Sequence, residues 1–209
     1  MTTLRGASYG ATELTGVTFG GTAFLSWDHV SSTRNLPTFG TIATAAYDGW
    51  SLAVAAEASR AFSVASLRVE PMVGVTVVEL WRPSFTESGA GALSLVAERE
   101  TATKLASRLG ATVTTPILIG DKVLRPWLRA FWGHDHLDRQ GDLTAAFLGA
   151  TAPGAFTILS PSVGRDAALV GAGALLQLRP ISSVVIAYDG ELRNRMSTHS
   201  IAASAILRW

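Results

Sequence analysis

One short segment has the residue types of a metal site. His134 and His136 are separated by one residue, with Asp135 between them and Asp138 close behind. On a strand the two histidines point to the same side, so their imidazoles could share one ion. The segment closes a predicted strand at the start of a loop, where histidine and aspartate are common. We therefore predict no metal site here.

A second segment, Ser26, Asp28 and His29, has the composition of a nucleophilic triad. Nucleophilic catalysis needs these groups to converge on one reacting atom. All three lie on one predicted strand, where Ser26 and His29 face opposite sides. The sequence also lacks a Gly-rich phosphate-binding loop. We predict neither a catalytic residue nor a bound cofactor.

A larger set of charged residues falls on one side of alternating segments. In Leu67–Leu80, one side carries Arg68 and Glu70, and the other side is almost wholly Leu, Val and Pro. Three more segments repeat this two-sided pattern, which is typical of strands whose faces meet different surroundings. The charged residues on the less apolar sides are Glu57, Arg68, Glu70, Arg108, Arg125 and Arg129.

Composition indicates that the more apolar side of these strands faces lipid. The chain has 209 residues, of which only 16% are charged, against about 25% in ordinary soluble domains. No apolar run reaches the roughly 18 residues of a transmembrane helix. A net charge of +1 gives no reason to expect a nucleic-acid partner, and the absence of cysteine excludes disulfides. High apolarity without long apolar runs is typical of transmembrane β-strands.

The last stretch, from Ser197 onward, supports this interpretation. Its alternate residues form one apolar row that ends on an aromatic side chain, as in strands that face lipid and carry interfacial aromatic girdles. A soluble sandwich that ends on a strand is the alternative. The row consists of Ile201, Ala203, Ala205, Leu207 and Trp209.

The spacing of turns predicts an all-β, antiparallel meander. Short turns are predicted near Ser63–Ser66, Thr115–Gly120 and Arg179–Pro180, and they alternate with longer connections at 31–40, 82–91, 137–163 and 190–196. Outer-membrane barrels have this arrangement, with short periplasmic turns and longer outer loops. For this reason Asp48-Gly49 is placed inside one long strand and not in a turn. The predicted strands are Leu4–Tyr9, Leu14–Val30, Thr41–Phe62, Leu67–Leu80, Thr101–Val113, Leu124–His134, Arg165–Leu178, Ile181–Asp189 and Thr198–Trp209.

Several motifs in this order resemble the β-domain of bacterial autotransporters, the type V secreted proteins. Departures from the family pattern are Gly133 for Arg, Gly171 for Glu, and a terminal Trp209 for Phe. The resemblance runs from about Ala23 to Trp209. The motifs are Leu67 to Val75 (L-x-x-E-P), Phe85 to Leu93 (F-x-E-x-G), Lys104 to Arg108, Trp132-Gly133-His134, Ala146 to Ala150, Gly164 to Val170 (A-R-D-A-A-L-V, with Gly at the first position), and Tyr188-Asp189-Gly190.

The resemblance implies a twelve-stranded transmembrane barrel that anchors and translocates a passenger across the bacterial outer membrane. It implies outer-membrane lipid, the barrel insertion machinery and a passenger as partners, with the charged residues lining the lumen and the terminal strand serving as the assembly signal. About nine strands are predicted, so we expect a partial β-domain without the first strands, the linker, the passenger or a signal peptide.

Closure and function leave alternatives open. We expect an open curved sheet, or a narrower barrel closed by Leu4–Gly10 or Leu14–Val30 against Ile201–Trp209. A small structural or adhesin-type outer-membrane barrel is the second functional hypothesis. A barrel lipid hydrolase is the third, and it would need a Ser-His pair on adjacent strands.

Overall fold

The computed structural model describes residues 1–137, 142–150, 154–160 and 162–207. Within these ranges the chain is almost entirely β-strand, with single 3₁₀ turns at Pro37–Phe39 and Gly91–Leu93. The described residues include no helix that is long and apolar enough to cross a membrane. The strands are β1 Thr2–Leu14, β2 Val17–Leu36, β3 Thr41–Ser59, β4 Phe62–Val64, β5 Leu67–Arg82, β6 Phe85–Thr86, β7 Leu95–Ala97, β8 Glu100–Thr114, β9 Ile117–Ile119, β10 Lys122–Asp135, β11 Leu143–Phe147, β12 Ala155–Ile158, β13 Asp166–Arg179, β14 Ser182–Arg193 and β15 Ser197–Leu207.

Nine long strands form the main sheet, in the order β1-β2-β3-β5-β8-β10-β13-β14-β15, and the short β4 and β9 add to β5 and β10. All pairings in the main sheet are antiparallel, and its long strands stand in the same order as in the chain. This confirms the predicted meander. The first hairpin turns on Thr15 and Gly16, whose φ angles of 51° and 76° match the twist of the flanking strands.

The main sheet curls into a half-barrel and stays open. Strands β1 and β15 form its two edges, and among the described residues they do not pair with each other. Of the two expected arrangements, the structure therefore has the open curved sheet. Each edge leaves a row of backbone N–H and C=O groups without a ladder partner.

The prediction of a loop at 31–40 is wrong for its first six residues. Ser31 pairs with Ala46 and Leu36 with Thr41, so β2 and β3 continue together as a long hairpin. The polar Ser and Thr side chains that suggested a loop also suit a strand with water on both faces. Asp48-Gly49 lies inside β3, as predicted, because both residues pair in register with β2.

The two long connections at 83–99 and 142–160 build a second, four-stranded sheet in the order β12-β11-β7-β6. We call it the loop sheet. The prediction of a plain loop at 82–91 is therefore wrong, because β6 lies within it. The loop sheet rests against the β2–β3 hairpin, where Tyr47 stacks on Phe85 with ring centroids 4.6 Å apart. Buried residues of the sheet and of its β6–β7 connection include Glu87, Ala90, Ser94, Ala97 and Ala145.

Candidate functional site

The strand register of the main sheet sorts its side chains onto two faces. Partners directly opposite each other share a face, so one transverse row defines a side of the whole sheet. We call this side the polar face and the opposite side the apolar face. The row runs through Gly20, Glu57, Gly74, Arg108, Gly133, Ala167 and Arg193.

Glu57 on β3 and Arg108 on β8 form an ion pair across the intervening strand β5. Strands two apart in a sheet are separated by about 9–10 Å, so the two side chains must meet above the middle strand. The residue beneath them is Gly74, which has no side chain to block the contact. A Cβ atom there would lie 3.1 Å from Arg108 Nε and 3.3 Å from the Ala56 carbonyl oxygen.

The same arrangement recurs further along the sheet. Arg129 on β10 pairs with Asp189 on β14 across Gly171 of β13, and Arg129 Nε donates to Asp189 Oδ1 at 3.0 Å. A Cβ atom at Gly171 would lie 2.6 Å from both of these atoms. Side chains from alternate strands converge where a sheet curves toward them. The polar face is therefore the concave side.

A hollow of about 550 Å³ lies on the polar face between the two ion pairs. Phe131, only 8% exposed, forms part of its wall, and the Arg108 guanidinium carbon lies 6.0 Å from the centre of that ring. Met72, Thr112 and Ser200 also line it. The arrangement is a groove whose opposite charges are matched in pairs, with hydroxyls between them.

The other charged residues predicted for this side also lie on the polar face by register. Arg68 Nη2 is 3.6 Å from Glu70 Oε2 on the same strand, and Glu70 accepts a 2.7 Å hydrogen bond from Ser59 Oγ. Arg125 lines a separate hollow near the short turns. Unlike Arg108 and Arg129, it forms no ion pair with any residue that the structure describes.

Sequence reasoning missed several acidic partners and several cations. Arg193 at the end of β14 donates to Asp135 Oδ2 at 2.8 Å and to the Gly164 carbonyl at 3.0 Å, and it also bonds Glu191. Asp189, the partner of Arg129, was part of a recognised motif but was not assigned a charge role. A signal was present in the sequence, since Arg129, Gly171 and Asp189 lie on three successive long strands.

The apolar face carries the residues predicted to form the assembly signal, as far as the structure describes them. Trp209 lies outside the described residues. Three tryptophans also lie on this face in one transverse row, Trp27 opposite Trp50 and Trp50 opposite Trp81. Such a row resembles one arc of an interfacial girdle. The assembly-signal positions on the apolar face are Ile201, Ala203, Ala205 and Leu207.

The triad considered in the sequence is split between the two faces. Ser26 Oγ donates to Asp28 Oδ2 at 3.0 Å on the polar face. His29 lies on the apolar face, where its Nδ1 is 2.7 Å from Asp48 Oδ1. The serine and the histidine therefore do not approach a common substrate atom.

The histidines of the candidate metal segment bond to different groups. His134 Nδ1 lies 2.9 Å from Asp166 Oδ1, and His136 Nε2 lies 2.9 Å from Ser107 Oγ. Their ring centroids are 5.0 Å apart. Asp138 lies outside the described residues. Within the described part of the chain, no three His, Cys, Asp or Glu side chains are grouped so that they could hold a metal ion.

One ion pair joins the loop sheet to the β2–β3 hairpin. Arg34 Nε donates to Glu87 Oε1 at 3.1 Å, and the Leu95 backbone N–H donates to Glu87 Oε2 at 2.9 Å. Glu87 is only 6% exposed. The Arg34 hydrogen bond, and the Leu95 N–H to a lesser degree, hold the pKa of Glu87 below its ordinary value, although burial opposes the shift.

An open antiparallel sheet with an apolar outer face, a row of tryptophans on that face and a charged concave face defines a protein of the outer-membrane β-barrel class. Residues 1–189 match the family model described as the autotransporter beta-domain, and the chain belongs to this family. Its location is therefore the bacterial outer membrane. The match begins ahead of Ala23, the first residue of the motif resemblance, and stops before β15. None of the curated proteins matches the chain.

Proposed function

We propose that this chain is a non-catalytic translocator and anchor domain that carries a passenger polypeptide across the outer membrane. The observation that carries the proposal is the contrast between the two faces of the curved sheet. The concave face holds charged side chains in matched pairs, including Glu57–Arg108 and Arg129–Asp189. The convex face exposes large apolar side chains, among them Val73, Leu109 and Leu128.

The mechanism follows from the chemistry of the two faces. Adjacent strands satisfy each other's backbone groups, which is a requirement for any structure that spans lipid. The apolar face contacts the acyl chains, while the polar face lines a hydrated path. Because the bridging charges are already neutralised by each other, a passing polypeptide meets polar surface without strong trapping by isolated charges.

The apolar row of β15 is the proposed handle for the insertion machinery. Ile201 and Leu207 are 78% and 68% exposed and lie at the sheet edge. An edge strand with free backbone groups can add to another sheet by β-augmentation. Outer-membrane lipid and a passenger complete the proposed set of partners.

We propose that further strands close the barrel between β1 and β15. An open edge in lipid would leave backbone groups unsatisfied at a cost of several kcal/mol each. The test compares the 209-residue chain with a version extended ahead of β1 by about three strands, a number taken from the twelve strands of the family barrel. We expect only the extended version to migrate in a compact, heat-modifiable form on a gel. If the 209-residue chain already does so in detergent and in vesicles, the sheet closes without added strands.

Translocation is tested by fusing an epitope-tagged passenger ahead of the extended version of the domain in a Gram-negative host. We expect the tag to become accessible to protease added outside intact cells. A matched fusion that carries Gly171→Ala should reduce surface exposure of the tag, since it disturbs the Arg129–Asp189 contact. A tag that stays in the periplasm with the unaltered domain contradicts the proposal.

An adhesin-type barrel is the second candidate, and the loop sheet is the observation that favours it. It exposes apolar side chains on the side of the long connections, including Phe147, Leu148 and Ile158. Such a surface is typical of interaction sites. Deleting 142–160 would abolish cell adhesion if this candidate is correct, and would leave adhesion unchanged if the domain serves translocation alone.

A further inference from the structure

A hollow of about 280 Å³ lies near the short turns, where β10, β13, β14 and β15 meet. Register places Arg125, Leu175, Ser183 and Ile206 on the polar face. Arg179 and Ser182, which pair with each other beyond a register shift, stand instead in the row of Leu207, so the hollow lies at the short-turn rim of the concave side. Its lining residues are Arg125, Leu175, Gln177, Arg179, Pro180, Ile181, Ser182, Ser183 and Ile206.

The charge of this hollow is not balanced. Arg125 and Arg179 both line it, and none of the acidic residues that the structure describes does. Neither arginine makes an ion pair with any residue in the described ranges, whereas Arg108 and Arg129, further from the short turns, each have a carboxylate partner. Gln177 and the serine hydroxyls add uncharged donors beside the two cations.

We propose that this hollow is a subsite for acidic side chains of a polypeptide that enters the concave side from the short-turn end. The inference rests on the proposed function, since it assigns a substrate preference to the translocation path. Guanidinium groups bind carboxylates through paired, charge-assisted hydrogen bonds. Short turns mark the periplasmic side in this class of barrel, so an entering chain meets Arg125 and Arg179 before the neutralised pair Arg129–Asp189.

A lipid phosphate is the competing anion, and the register argues against it. The neighbouring positions that face outward at this level are Leu124, Leu176, Val184 and Ala205. Headgroups beside the convex surface would therefore be separated from Arg125 by the sheet itself.

The test measures, by fluorescence anisotropy, the binding of labelled peptides to the extended version of the domain in detergent micelles. The probes are a short Glu-rich peptide and its counterpart with Gln at every Glu position. We expect the Glu peptide to bind more tightly, and Arg125→Gln combined with Arg179→Gln to weaken it by about fivefold, the size expected for two partly exposed ion pairs. Arg195→Gln, the same type of substitution in the connection between β14 and β15 at the far end, should leave binding unchanged.

A charge-reversed variant keeps the test informative if the neutral variant folds poorly. Arg125→Glu combined with Arg179→Glu should switch the preference from the Glu peptide to a matched Lys peptide, a gain that a misfolded chain would not produce. Equal binding of the Glu and Gln peptides, or an unchanged preference in both double variants, overturns the proposal. Displacement of the Glu peptide by vesicles of anionic phospholipid, but not by neutral vesicles, overturns it in favour of a headgroup site.

The peptide-binding test and the translocation test can fail independently of each other. If the double Gln variant loses peptide selectivity while the tagged passenger still reaches the surface at the normal level, the domain is a translocator and the subsite does not act on its passenger. If selectivity is present but no passenger reaches the surface, translocation fails and the peptide subsite stands.

Discussion

Arg129 reaches Asp189 across a whole strand because residue 171, between them, is glycine. Both side chains arch over β13, and the Glu57–Arg108 pair arches over β5 at Gly74 in the same way. Each pair ties three strands together on the concave side. Curvature of the sheet and placement of charge are therefore linked through two positions that lack a side chain.

Gly171→Ala should destabilise the sheet by about 1–3 kcal/mol, the usual cost of forcing extra atoms into an occupied space. The new Cβ would lie 2.6 Å from Arg129 Nε and Asp189 Oδ1. The matched control is Gly133→Ala on the same face, where the nearest atom would be 3.5 Å away. Urea denaturation in detergent micelles, followed by circular dichroism, measures both. Equal midpoints for the two variants would show that the bridging contact does not constrain residue 171.

Ala203→Arg and Ala202→Arg should behave oppositely, although the two residues are neighbours on β15. Residue 203 lies on the apolar face and residue 202 on the polar face. Arginine on the lipid side costs about 2–4 kcal/mol at the midplane, so Ala203→Arg should lower the amount of protein recovered in the outer-membrane fraction. Ala202→Arg should be tolerated. Equal recovery would contradict a lipid-facing side at residue 203, and a larger loss at residue 202 would mean that the faces are inverted.

Contact between the loop sheet and the hairpin should weaken in acid. The pKa of Glu87 is lowered in the folded state, so its stabilising effect is present above the ordinary glutamate pKa and is lost as the pH falls through the lowered value. Hydrogen exchange of the Leu95 amide, which donates to Glu87, reports the contact once rates are corrected for intrinsic pH dependence. Protection should fall in that acidic range.

Glu87→Gln should remove this pH dependence and cost about 1.5–3 kcal/mol, as expected for hydrogen bonds to a charged group. Glu98→Gln is the control, because Glu98 lies in the same connection and forms hydrogen bonds through its backbone, to Thr144 and Arg82. If Glu87→Gln leaves Leu95 protection unchanged, the carboxylate does not hold the two units together.

The strands of the main sheet could be predicted because the pleat imposes a period of two, and lipid on one side makes that period visible. The same signal fails where water is on both sides. The sequence predicts a loop at Ser31–Leu36 because no apolar row marks that segment. The loop sheet was missed because its strands are two to five residues long and gain their burial from contacts between distant connections.

The faces of the charged residues could be predicted, but most of their partners could not. Alternation places Arg108 and Glu57 on definite sides of their own strands. Which acid meets which arginine depends on the register between strands, which a single strand does not encode. The Arg129–Asp189 contact skips a strand altogether, and only a glycine at residue 171 permits it.

Cysteine scanning along β5 tests the central claim, that this sheet spans the membrane with one face toward lipid. The chain has no cysteine, so single substitutions can be made at Met72, Val73, Val75 and Thr76 without a background signal. In outer membranes isolated from producing cells, a water-soluble maleimide should label residues 72 and 76 on the polar face. Residues 73 and 75, on the apolar face, should react only with a lipid-soluble reagent. Equal labelling of all four positions by the water-soluble reagent, or the reverse alternation, would contradict the account.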